Sequence, residues 1–192
     1  MNCRLHALVL LIFLTAGGLS SQAPAPSAAK PSASAAATPA PPPPDPWIGV
    51  RFLLGSWEAK TTGGIAQAKA SAGYAFRLEL RDHILARHSR SGACNAPDDF
   101  DCQHSDLLYL YPVPNGGALQ AIYFDNEGHI IHYDVTAPSP NSVVFLSDPA
   151  QPGPQYRLSY ELVDGVLSGK FELKMPGQPD FVSYLEWSGK RR

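Results

Sequence analysis

Cysteine is scarce in this 192-residue chain: it has three, at Cys3, Cys94 and Cys102. That excludes a small scaffold built on many disulfides. No Cys-x₂₋₄-Cys pair of the zinc-binding kind is present either. After the N-terminal stretch no further apolar run is long enough to span a membrane, which takes about 20 residues. Charge is sparse: 17% of residues are charged, the formal net charge is -2, and no basic stripe appears. Nucleic acid is therefore not an expected partner. A nucleophile elbow, a phosphate-binding glycine loop and a zinc-protease motif are all missing. So is any clear acid/base pair of carboxylates, and no cofactor or metal is implied. An enzyme whose groups come from separate strands remains open.

What is present begins with an export pattern. Arg4 precedes an almost wholly apolar run from Ala7 to Ala16, too short to span a bilayer comfortably. Ser21-Gln22-Ala23 fits the small-x-small cleavage rule, so residues 1–23 read as a signal peptide. Cys3 precedes the apolar run and cannot serve as a lipoprotein anchor. The alternative is an uncleaved anchor helix. Residues 24–46 are mostly Pro, Ala and Ser, including Pro41-Pro42-Pro43-Pro44. Such a composition cannot build a core and reads as a disordered linker, either a spacer near the cell envelope or a passive leader. The chain is thus expected outside the cytoplasm, in the periplasm or secreted. The remainder, residues 47–192, suits one domain.

In an exported protein the close pair Cys94 and Cys102 reads as a disulfide stapling a loop. The alternative is a metal site with Asp98, Asp99 and Asp101, but the cysteine spacing is wider than zinc pairs use. The cluster Asp98, Asp99, Asp101 and Asp106 lacks the order of a calcium loop and reads as a solvated segment.

Helical periodicity is nearly absent after an apolar lead-in, Trp47 to Leu54. Period-2 alternation recurs instead, as in Tyr74, Phe76, Leu78 and Leu80 against Arg77 and Glu79. Turn-forming segments separate the runs: Gly63-Gly64, Arg81-Asp82-His83, Pro114 to Gly117, Asp125 to Gly128, Pro138 to Asn141 and Asp164-Gly165. One short polar strand is expected near residues 66–71, and another strand from Ile84 to Ser91. The fold class is all-β: an antiparallel up-and-down meander of about ten strands, closed into a lipocalin-like barrel because closure removes exposed edges. A flattened sandwich is the alternative.

Gly55-Ser56-Trp57, the meander after it and the terminal Arg191-Arg192 resemble the calycin superfamily, which holds lipocalins, fatty-acid-binding proteins and bacterial relatives. The segment Tyr123 to Tyr133 is similar to uncharacterised exported bacterial proteins of the same layout. The resemblance covers residues 47–192 and implies that Trp57 packs at the closed end with Arg191 or Arg192 across it. The chain departs from true lipocalins in having more strands and no evident large lid loop.

The expected function is binding of a small, mostly apolar or amphipathic ligand without catalysis. Arg87, His88, Tyr109, Tyr133 and His132 are the candidate ligand contacts. On the strand holding Arg87 and His88, either face carries polar groups into the interior, and a buried Arg or His requires a partner. His129 and His132 lie three apart on a strand and must face opposite ways, which argues against a shared metal. Two alternatives stand: a barrel isomerase or hydrolase using His88 or His132 in a cavity, and an envelope interaction module presenting an exposed apolar patch.

Overall fold

The computed structural model describes residues 44–114 and 117–192. Cys3, the signal segment and all but the end of the linker lie outside the described residues. Ten antiparallel strands follow one another in chain order and close into a single barrel. They are β1 (Gly55–Gly63), β2 (Lys69–Glu79), β3 (Ile84–Asn95), β4 (Asp106–Pro112) and β5 (Leu119–Asp125). Then come β6 (Ile130–Ser139), β7 (Ser142–Ser147), β8 (Gln155–Val163), β9 (Val166–Lys174) and β10 (Val182–Arg191). Each strand pairs with its sequence neighbours, and β1 pairs with β10 to complete the ring, Trp57 opposite Arg191. The barrel has no free edge, which removes the template for unwanted strand pairing.

Two expected boundaries shift. No separate strand forms at residues 66–71. Instead Ile65 and Ala66 donate backbone hydrogen bonds to Ser183 and Tyr184, and β2 starts at Lys69. β3 runs to Asn95 rather than Ser91, because its ladder with β2 continues past a bulge to Lys69–Asn95. Its ladder with β4 ends at His88–Leu107. Above that point β3 and β4 part, and residues 96–105 occupy the end of the barrel there.

The two halves of the barrel differ. The closed half is solid: Trp57, Phe76, Leu85, Leu110, Phe145 and Leu167 are each no more than 1% exposed. The apolar lead-in forms its plug. A 3₁₀ turn, Arg51–Leu53, buries Leu53, and Val50 and Trp47 are buried beside it. The Trp57 indole donates to the Leu53 carbonyl at 2.8 Å, and Trp47 donates to Asp82 at 3.0 Å. The Arg191 guanidinium lies 4.5 Å from the Trp57 ring and donates to the carbonyls of Leu54 and Phe52. Gly55 makes this possible. Its φ of +127° suits glycine, and a Cβ there would collide with the Arg191 guanidinium. The Gly-x-Trp triplet and the late arginine are therefore one physical unit.

Candidate functional site

The open half of the barrel contains a cavity of about 380 Å³. That lies at the low end of the range for small-molecule sites, roughly 300–1,000 Å³. Aromatic and aliphatic side chains, among them Tyr156, Leu158, Phe171, Tyr184 and Trp187, form its walls. Trp187 fits because Gly169 opposite has no side chain; a Cβ there would fall inside the indole.

Strand alternation selects what enters from β3 and β4. Leu85 and Arg87 point in and are buried, while His88 points out and pairs with Glu79 at 3.1 Å. On β4, Asp106, Leu108 and Leu110 point in. Tyr109 points out, its ring 6.2 Å from His88 and 6.5 Å from Phe124. On β6, Ile131 and Tyr133 point in and His132 is exposed.

Of the five candidate contacts, Arg87 and Tyr133 therefore line the cavity. His88, Tyr109 and His132 do not, because each sits one residue out of phase with the inward face. His129 lies before β6 and reaches the cavity rim, where it is held by Asp125 at 2.8 Å.

The polar centre of the site is an ion pair. Arg87 donates to the Asp106 carboxylate and to the Tyr160 hydroxyl. Arg87 is 5% exposed and Asp106 9%, so neither charge is neutralised by bulk water. This corrects the reading of Asp106 as part of a solvated acidic segment. Burial pushes its carboxyl up, but the Arg87 charge and hydrogen bonds from His104 and Ser89 outweigh it and hold it at about 2. Burial likewise opposes the charge on Arg87, and Asp106 more than offsets that, so Arg87 stays protonated. Burial raises the phenols of Tyr74, Tyr123 and Tyr133 above their ordinary value, which keeps them as hydroxyls.

Four buried side-chain polar atoms have no hydrogen-bond partner among the described residues: the Tyr74 and Tyr133 hydroxyls, Arg87 Nε and Trp187 Nε1. The Trp187 indole opposes the upward shift of the Tyr74 hydroxyl, although neither atom completes a hydrogen bond. All four atoms belong to residues lining the cavity. A buried group left this way costs about 1–3 kcal/mol.

At the mouth, Cys94 and Cys102 are joined by a disulfide, their Cα atoms 5.6 Å apart. Phe100, Asp101 and His104 from this stapled segment line the cavity. Ser91 Oγ donates to the His104 carbonyl at 2.7 Å, which ties the segment back to β3. The His104 imidazole contacts Tyr123 at 3.0 Å, Glu127 at 3.1 Å and Asp106 at 3.5 Å. Its hydrogen bond with Asp106 raises its pKa; burial works against this, and the neighbouring carboxylates add to the rise. Replacing both cysteines with serine should lower the unfolding free energy by about 2–3 kcal/mol, as expected for a short closed loop. The urea midpoint of the double variant checks this.

Two sets of side chains near the mouth could hold a divalent cation. Asp101, His104 and Glu127 offer ligand atoms within 4.8 Å of one another, as do Asp125, Glu127 and His129. These groups already satisfy one another: Asn126 donates to Asp101, His104 pairs with Glu127, and His129 with Asp125. A metal would have to displace those bonds.

Sequence reasoning missed Asp106 and His104 as members of the site. A signal for Asp106 existed, since it opens the period-2 series completed by Leu108 and Leu110. His104 had none, because it lies on an irregular segment with no face. No protein-family model matches this chain, and no curated protein matches it.

Proposed function

We propose that this chain is an exported barrel that binds a small, mostly apolar molecule through one polar end, in the manner of calycin proteins. The observation that carries the reading is the set of unpartnered polar atoms on the cavity lining. An apolar wall receives the body of a ligand, and a hydrogen-bonding group on it gives a partner to one or two of the polar atoms that Tyr74, Tyr133, Arg87 and Trp187 leave without one. The export pattern and the Cys94–Cys102 disulfide support action in the periplasm or outside the cell.

The enzyme alternative required His88 or His132 in the cavity, and both imidazoles lie outside it. The interaction-module alternative required an exposed apolar patch without a cavity. The barrel does hold a cavity, and the exposed apolar side chains, for example Ile48, Leu80, Val163 and Met175, lie at strand ends and in turns.

Native mass spectrometry of protein taken from its own host tests the reading. A co-purifying small organic molecule is expected. Tyr133→Phe should then lower ligand occupancy about tenfold while leaving the ligand-free melting temperature equal or higher, because it deletes an unsatisfied hydroxyl. Protein that carries only water and binds no apolar probe would overturn the proposal.

A further inference from the structure

The proposed binding function leaves the chemical class of the ligand open, and the charge arrangement narrows it. We propose that the cavity accepts an uncharged molecule whose buried end is a hydrogen-bond acceptor, a ketone, ester or amide carbonyl, and discriminates against the matching carboxylate. The inference rests on the binding reading above.

The unpartnered groups are donors. Arg87 Nε and Trp187 Nε1 can only donate, and the two tyrosine hydroxyls bring a proton each. A carbonyl oxygen can accept from two of them, whereas a second donor, such as an ammonium group, would satisfy neither nitrogen. Acceptors come neutral or anionic, and Asp106 decides between them. The Arg87 charge, which would otherwise welcome a carboxylate, is already matched by a carboxylate of this chain at hydrogen-bond distance. Asp106 is itself buried and keeps its charge, so it cannot step aside by protonation near neutral pH. A ligand carboxylate would place a second negative charge beside Asp106 in a site of low polarity, at a cost of several kcal/mol.

The rim gives no compensation. Lys60 and Arg90 line it, but so do Asp101, Asp125 and Glu127. Counting the ion pair, three cations face four carboxylates, which leaves no net positive charge to offset an anion. His104 and His129 stand among the same carboxylates and are already paired with them. A neutral carbonyl has none of these penalties. Its oxygen carries two lone pairs and no net charge.

Matched probe pairs test this on the mature chain: acetonaphthone against naphthoic acid, and methyl decanoate against decanoic acid. Binding is read by quenching of tryptophan fluorescence and by calorimetry. At neutral pH the uncharged member of each pair should bind at least about tenfold tighter. Acid affinity should rise as pH falls through the acid's own pKa, with methyl decanoate unchanged as the control. Asp106→Asn should shift the preference toward the acids by freeing the Arg87 charge. If that variant does not fold, the pH series on the unaltered chain decides alone. Acids that bind as well as their neutral partners, or that weaken as they protonate, overturn the inference and leave the binding function standing. Failure of all four probes overturns the binding function itself.

Discussion

Asp106→Ala is expected to destabilise the fold by about 3–5 kcal/mol, the cost of leaving a buried guanidinium without its counter-charge. The geometry justifies the upper part of the scale for point substitutions. Arg87 is 5% exposed, and its remaining protein partner is the neutral Tyr160 hydroxyl. Exposed pairs such as Arg51–Asp45 should show a much smaller loss, because water screens them. Chemical denaturation of the two variants, Asp106→Ala and Asp45→Ala, separates the cases. A double variant, Arg87→Met with Asp106→Leu, should recover most of the loss, since replacing both partners removes the desolvation cost along with the attraction. That variant would also lose a donor of the proposed ligand site.

The same pair sets an acid limit. The folded-state pKa of Asp106 is depressed to about 2, below its ordinary unfolded value near 3.8. Its contribution is therefore fully present above the unfolded pKa and is lost as pH falls toward the folded one. Glu172, held by Arg157 through two hydrogen bonds, is shifted in the same direction. Stability should fall between roughly pH 4 and pH 2, with Asp106 contributing on the order of 2 kcal/mol. In Arg87→Met with Asp106→Leu that part of the slope should disappear.

Trp57→Ala is the second large effect, and it should separate structure from function. Removing a fully buried tryptophan costs about 3–5 kcal/mol through lost burial and the cavity left behind. The loss here also orphans the Leu53 carbonyl and takes away the ring beneath the Arg191 guanidinium. Arg191→Lys should cost less, about 1 kcal/mol or so, because a lysine keeps charge but not the planar fork. Ligand affinity of the Trp57→Ala protein that remains folded should change by less than about threefold, as Trp57 does not line the cavity and touches it only through its cross-strand partner Tyr74. A much larger loss of affinity would show that the plug and the cavity are mechanically coupled.

Particular residues show how far the chain could be read without coordinates. Period-2 alternation placed the strands because a half-buried strand must alternate, and turn residues placed most of their ends. Asp164-Gly165 is a tight turn with φ of +50° and +76°, the geometry such a pair favours between two strands. Alternation also split His129 from His132, and it put Tyr133 on an apolar face. On β3 it left a tie, since both faces carry polar side chains.

The tie was broken by neighbours far away in sequence. Arg87 points inward because Asp106 and Tyr160, 19 and 73 residues away, meet it there. His104 joins the site because a disulfide and the parting of β3 from β4 bring an irregular segment over the mouth. The sequence alone determined the antiparallel meander, most of its turns and the stapled loop, since these depend on local periodicity and local turn chemistry; the separate strand expected at residues 66–71 did not form. That Trp57 and Arg191 lie together could not be read from periodicity, since they meet only across the β1–β10 seam. Tertiary structure alone decided which polar groups are buried, which of them balance one another's charge, and which are left without a partner. Those properties are sums over every strand of the ring, and no single stretch of chain contains them.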